Sequence, residues 1–466
     1  MLNWDSFVKT YDVRGLVGSE LTIDVVQAFG AAFADELELL GKEFVVGHDM
    51  RDSSPDFARA FAEGAAKRGA IAKMLGLCST DMTYFASGKL QLPAVMFTAS
   101  HNPARYNGIK FSRAGARGIS LNTGLAKIRD RAIEYFETGI DELASPGTIN
   151  DLSVITEYAQ YLRELVDLSK SRRLKVVVDT ANGMGGLSVP AVLGTAAGLD
   201  ELPIEIVPLY FELDGNFPNH EANPLDPNNL KDLQAAVLEH GADLGLAFDG
   251  DADRCFAVDE KGGLVSPSSV AAIVSKREID RARNQGATEI AVIHNLLTSR
   301  YVAEAISERG ARPVRTKVGH SLIKDEMAAS GAIFGGEHSA HYYFASFWGA
   351  DNGMLAALHI LSELGAGQLR MSELSEANNP YFQSGEINSE VSDSGAALVR
   401  LTSTFPEASV EAFDGHTLSS VDGSNWWWLN VRPSNTEPLL RLNVESNNES
   451  TMQKIRDLAI RAIRNN

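Results

Sequence analysis

Short apolar runs rich in β-branched residues, each ending in a polar or glycine-rich turn, recur along the chain and restrict its fold more than any other feature. They occupy residues 43–49, 92–97, 174–179, 244–248 and 289–293. Between them lie stretches of helical period. Residues 21–40 place Val26, Phe29, Phe33, Leu37 and Leu40 at spacings of three and four behind Thr22 as a cap, and an Ala-rich stretch covers 55–68. Short strands alternating with such helices predict βαβ units and parallel sheets. A chain of 466 residues has room for about three or four domains, so three similar α/β domains in series are expected. The end reads differently: residues 426–431 and 439–445 alternate as strands, and Met452, Ile455, Ala459 and Ile463 share one face of a helix over 450–465. A smaller C-terminal α+β domain follows from that pattern. Linker-like composition near 144–151, 259–269 and 365–375 divides the chain into 1–148, 149–257, 258–370 and 371–466.

Charge narrows the partners. With 42 Lys plus Arg against 61 Asp plus Glu, the formal net charge of −19 disfavours nucleic acid or an anionic membrane as the main partner. A pocket with a few placed arginines can still hold an anionic small molecule. Cys78 and Cys255 are the two cysteines, too few for a disulfide framework and wrongly spaced for zinc, which fits a reducing compartment. Residues 1–15 lack the apolar core of a signal peptide, and no apolar run reaches membrane-spanning length. A cytoplasmic protein is expected.

No dinucleotide fingerprint, P-loop or nucleophile elbow is present. Chemistry must come from other loops. Asp249, Asp251 and Asp253, with Arg254 beside them, follow the run 244–248, and three carboxylates at alternate positions suit a hard cation, preferably Mg²⁺. A Ca²⁺-binding EF-hand would use Glu260 as its twelfth residue, but Arg254 stands where the turn glycine belongs and the flanks read as strands. The run 92–97 ends in Thr98, Ser100, His101, Asn102 and Pro103. Ser100 beside a metal could accept a phosphoryl group, whereas His101, on adjacent backbone, is poorly placed to reach it as a triad base. Arg432, Ser434, Asn435, Thr436 and Arg441 supply donors for a phosphate or carboxylate. Glu337 and Ser339, with His341, lie in a glycine-flanked loop able to bond sugar hydroxyls. Taken singly, each motif is also compatible with an ordinary polar turn.

Together with residues 11–15, these loops resemble the α-D-phosphohexomutase family, in the family's order and over nearly the whole chain. The resemblance implies three α/β domains and a smaller fourth around one central cleft. It also implies that Ser100 is phosphorylated at rest and completes a Mg²⁺ site with Asp249, Asp251 and Asp253. Arg254 would then lie beside the transferring phosphate, Glu337 and Ser339 would contact the sugar, and Arg432, Ser434, Asn435, Thr436 and Arg441 would cradle the idle phosphate. Arg14, Lys110, His320 and His341 match positions with acid–base or electrostatic work, and His101 joins them as the serine's neighbour. Arg14 and Lys110 could equally be structural ion-pair partners. The implied substrate is a small-molecule hexose phosphate, with a hexose 1,6-bisphosphate as intermediate and activator, in a monomer or a dimer. The Glu337-His-Ser339 and Ser434-Asn-Thr436 forms are nearer to members acting on mannose and glucose phosphates than to those acting on glucosamine phosphate.

Overall fold

The computed structural model describes residues 2–433 and 439–465, the side chains of His320 and Ser321 excepted. Within the first three units one arrangement repeats. A trio of parallel strands is followed by an antiparallel strand on the side of the trio's last member. In the first sheet the trio is Glu43–His48, Ile71–Leu77 and Ala94–Phe97, and Tyr106–Arg113 returns antiparallel. Strands Leu174–Asp179, Ile204–Leu209 and Leu244–Phe248 with Cys255–Asp259 form the second version. Ala291–Asn295, Arg312–Thr316 and Phe334–Gly336 with Tyr342–Phe344 form the third.

The connection from the third parallel strand to the antiparallel one is the same structural position in each unit. It carries residues 98–105 in the first, 249–254 in the second and 337–341 in the third. These are the serine, acidic and sugar loops of the sequence. Each holds a non-glycine residue in the left-handed region: Ser100 at φ 48°, Ala252 at 62° and Ala340 at 62°. Side chains pay of order 1 kcal/mol for that conformation, and such residues concentrate at functional loops.

The fourth unit is a sheet in which Asn425–Pro433 pairs antiparallel with His416–Asp422 and Leu439–Ser446, backed by helix Glu449–Arg464. Met452, Ile455, Ala459 and Ile463 are the buried face of that helix, as the period predicted. Leu401, Leu418, Leu429, Leu440 and Leu442 belong to its own separate core. By contrast, one apolar cluster runs through the second and third units and takes in Met82 and Phe85 from the first. The first three units are therefore joined by packing, and the fourth is the more independent body.

Local signals explain most element ends. Thr22 accepts a hydrogen bond from the Val25 amide, capping helix Ile23–Glu36. That helix is shorter than the period of 21–40 predicts. Glu38 turns left-handed at φ 54°, and the Leu39 amide donates back to the Ala34 carbonyl, which closes the helix and leaves Leu40 66% exposed. The expected divisions also shift. Strand Ile149–Asp151 pairs with Ile71–Leu77 and so belongs to the first sheet. Leu264–Val265 extends the second sheet past 257. Helix Met371–Ala377 packs on helix Pro267–Asn284 of the third unit, where Ser269 meets Ser375 and Lys276 donates to Asn378. Turn composition marked where the chain bends, but strand pairing and packing decide where a unit ends. Among the described residues no helix is long and apolar enough to cross a membrane.

Candidate active site

The three equivalent loops converge. Ser100 Oγ donates to Asp249 Oδ2 at 2.8 Å across the junction of the first two units. Gly250 makes the approach possible, because a Cβ there would sit 2.3 Å from the Ser100 carbonyl oxygen. Asp249, Asp251 and Asp253 are all buried, with carboxylate oxygens mutually within 4.8 Å.

Cations from the first unit answer part of this negative charge. Lys110 Nζ donates to Asp251 Oδ2 and Asp253 Oδ2, each at 2.7 Å. Burial opposes its charge, but Asp251 and Asp253 outweigh burial and hold its pKa well above the ordinary lysine value. Thr80 Oγ1 donates to Asp251 Oδ2 at 2.6 Å. Burial likewise opposes ionisation of Asp251, yet Lys110 and these hydrogen bonds keep it below the usual carboxylate range. Arg254 donates to Asp249 through its backbone N–H at 3.1 Å and its Nε at 2.9 Å. Asp249 is nonetheless pushed up to about 7, by burial first and then, against the pull of Arg254, by Asp253 and Asp251.

The cluster fits a divalent cation. Asp251 Oδ1 and Asp253 Oδ1 are buried without a hydrogen-bond partner among the described residues, and unpaired buried carboxylate oxygens are costly unless something cationic meets them. Hard oxygen donors in this number suit Mg²⁺. Glu260 is no part of it: its carboxylate accepts from Ser372 N–H at 2.9 Å and Ser372 Oγ at 2.7 Å. That removes the EF-hand alternative.

His101 corrects the sequence expectation that adjacent backbone keeps it from the serine. The left-handed turn at Ser100 brings His101 Nδ1 to 3.3 Å from Ser100 Oγ and 2.6 Å from Arg254 Nη2. Burial first, then the charges of Arg254 and Arg14, holds its pKa well below the ordinary histidine value. A neutral ring accepting from Arg254 results. Arg14 pairs with Asp12 at 2.8 Å and donates to Asn102 Oδ1 at 2.7 Å, bracing the serine loop.

From the third unit, His341 Nε2 lies 3.7 Å from Asp253 Oδ1, so the sugar loop adjoins the acidic cluster. Ser339 Oγ is 3.2 Å from His341 Nδ1. Glu337, buried, accepts from Tyr343 OH at 2.8 Å and from the Gly319 amide at 3.4 Å, which leaves lone pairs for another donor. The fourth unit contributes Arg432 and Arg441, directly paired across the antiparallel strands. Like charges facing each other destabilise a sheet, and an anion between them relieves the repulsion. Glu386 does so in part, at 3.1 Å from Arg432 and 3.2 Å from Arg441. The pair lines a cavity of about 910 Å³ together with His338, Ser339 and Glu386. Its field is felt there: burial first, then Arg432 and Arg441, pushes His338 down to about 3. Ser434, Asn435, Thr436 and the His320 side chain lie outside the described residues.

Sequence comparison decides the family. Four domain models described as phosphoglucomutase/phosphomannomutase domains match residues 5–137, 156–263, 266–381 and 386–462. The chain belongs to the phosphoglucomutase/phosphomannomutase family. It is 37% identical over 450 residues, 96% of each chain, to a Xanthomonas campestris protein named "Phosphohexose mutases". It is 35% identical to the phosphomannomutase/phosphoglucomutase of Pseudomonas aeruginosa, over 97% of this chain and 94% of that one. A crystal structure of a phosphoglucomutase/phosphomannomutase family protein from Burkholderia thailandensis superposes with a TM-score of 0.85 at 28% identity, covering 99% and 98% of the two chains. As a phosphohexomutase the protein is an isomerase that transfers phosphate intramolecularly.

This phosphohexomutase contains a site residue that the sequence did not single out. Arg51 is 1% exposed and uses all its guanidinium donors: Nε to Asp49, Nη1 to the carbonyls of Pro103 and Tyr106, and Nη2 to those of Ser100 and Asn102. It is the internal frame of the serine loop. Its position in the turn after strand Glu43–His48, in a run of Asp49, Met50 and Arg51, was the available signal. Its partners are mostly backbone carbonyls, which carry no sequence signature.

Proposed function

We propose that this phosphohexomutase interconverts the 6- and 1-phosphates of mannose and of glucose through phosphorylated Ser100 and a hexose 1,6-bisphosphate. The observation that carries the reading is Ser100 Oγ, 2.8 Å from Asp249, beside two further buried aspartates and Lys110. The Arg432–Arg441 pair of the fourth unit, which lines a cavity with His338 and Ser339, supports it. In the first half-reaction the bond from phosphorus to Ser100 Oγ breaks as one to the free hexose hydroxyl forms, and the proton of that hydroxyl ends on Ser100 Oγ. The bisphosphate turns over, and the reverse transfer returns its other phosphate to Ser100.

Mg²⁺ held by Ser100, Asp249, Asp251 and Asp253 would supply positive charge against the transferring phosphoryl oxygens. Lys110, charged, offsets the aspartates. Arg254 holds Asp249 and fixes His101 beside the serine. Glu337 and Ser339 present acceptors and a hydroxyl to the sugar. Arg432 and Arg441, with Ser434, Asn435 and Thr436, grip whichever phosphate is idle, so binding energy remote from the reacting end orients it. The name of the Pseudomonas aeruginosa relative supports mannose and glucose phosphates as substrates. Cys78 and Cys255 are free and buried, and burial pushes both thiols up, which leaves them unreactive.

Purified protein with Mg²⁺ and a hexose 1,6-bisphosphate is expected to convert mannose 1-phosphate to the 6-phosphate, and glucose phosphate likewise, with glucosamine phosphate the poorest substrate. Release of free phosphate without isomer would overturn the mutase reading. A preference for glucosamine phosphate would overturn its substrate assignment.

The pKa of Asp249 gives a second expectation. A carboxyl raised to about 7 keeps its proton in the fold over a pH range where the unfolded chain has released it. Its contribution to stability is therefore lost as pH rises from the ordinary carboxylate value to about 7, and is constant above that. A cation needs the ionised form. Mg²⁺ should accordingly raise the thermal midpoint more at pH about 8 than at about 5.5; a pH-independent increment would contradict this.

A further inference from the structure

The fourth unit touches the third at a place the proposed chemistry does not use. Residues 413–415, a turn between two of its strands, rest on residues 315–318. Asp414 Oδ2 accepts from the Val318 amide at 2.9 Å. The Phe413 ring lies under the Arg315 guanidinium at 5.1 Å and the Lys317 ammonium at 5.6 Å, while Arg315 also pairs with Glu411. The next amide, Gly319, donates to Glu337 of the sugar loop at 3.4 Å. Two successive amides are thus held by carboxylates of different units, immediately before helix His320–Ser330 begins.

On its other side the turn is built onto Arg432. Gly415, at φ 67°, has no room for a side chain, since a Cβ would sit 2.3 Å from the Val431 carbonyl oxygen and 2.7 Å from Arg432 Cβ. Asn430 Nδ2 donates to the Asp414 carbonyl at 3.0 Å. A continuous set of packed and hydrogen-bonded groups runs from Arg432 through residues 413–415 to the segment that leads into His320.

We propose that Asp414 and Phe413 are positioning residues that couple a phosphate seated on Arg432 to the placement of residues 317–319 and the start of the following helix. The inference rests on the reading of Arg432 as a phosphate contact. It assigns the pair no contact with substrate; they act through the loop.

Asp414→Ala, Asp414→Asn and Arg432→Ala are made singly, and Asp414→Ala is combined with Arg432→Ala. Asp414→Ala should lower kcat by about 10- to 100-fold, the scale of a small misplacement, with a smaller change in KM. Asp414→Asn, whose amide oxygen still accepts from Val318, should stay within about threefold of the parent. The double variant should be little worse than Arg432→Ala alone. Hydrogen exchange of amides 317–319 supplies a readout free of turnover: glucose 1,6-bisphosphate should protect them in the parent and not in Asp414→Ala. Unchanged kcat and exchange in Asp414→Ala, equal damage from both Asp414 variants, or losses that multiply in the double variant would each overturn the coupling. A parent that binds the bisphosphate and shows the exchange difference without isomerising any sugar would uphold the coupling and overturn the mutase reading instead.

Discussion

Ser100→Ala is expected to lower kcat for mannose phosphate isomerisation by roughly 10⁴-fold or more, the scale seen when the nucleophile of a covalent mechanism is removed. No neighbouring side chain can substitute. Asp249 Oδ2, at 2.8 Å, is held by Arg254, and His101 Nδ1, at 3.3 Å, is engaged by Arg254 as well. The fold should survive, because the substitution removes one hydrogen bond to Asp249, which keeps its contacts with Arg254; a loss of about 1 kcal/mol is the ordinary scale. Steady-state kinetics beside a thermal melt separates the two effects. A variant that retains even a tenth of parental turnover would remove Ser100 from the chemistry.

Arg51→Met should cost about 3–5 kcal/mol of stability, the scale for breaking a buried ion pair by removing one partner. Burial alone already pushes the Arg51 pKa down and that of Asp49 up, so each holds the other in an environment that disfavours its charge. Removal strands Asp49 and leaves the carbonyls of Ser100, Asn102, Pro103 and Tyr106 without this donor. Arg51→Lys should recover little, because an ammonium lacks the planar fork that reaches four carbonyls and a carboxylate together. Urea denaturation measures the cost. Activity should fall further than the unfolded fraction explains, since the left-handed turn at Ser100 loses its frame; a loss of under about 1 kcal/mol would show that the loop holds itself.

What the sequence disclosed follows from where the signals lie. Strands Leu174–Asp179 and Leu244–Phe248 were readable because a buried parallel strand is a nearly unbroken apolar run. The acidic loop was readable because its three carboxylates stand at alternate positions of one short segment. That the serine, acidic and sugar loops are one connection used three times was not readable, since the repetition is in strand order and the loops share no common sequence pattern. The approach of His101 to Ser100 was not readable, because it depends on the left-handed turn at Ser100, where φ is +48°. The facing of Arg432 and Arg441 depends on strand register, and Arg51 on carbonyls from a distant segment.

The most direct test of the account is a single turnover. The protein is phosphorylated with a labelled hexose 1,6-bisphosphate, freed of excess ligand, and mixed with unlabelled mannose 6-phosphate and Mg²⁺. The account predicts label on Ser100 at the start, absent from Ser100→Ala, and its transfer to hexose phosphate as the phosphoserine disappears. Label that never resides on Ser100, or that leaves it only as free phosphate, would contradict it.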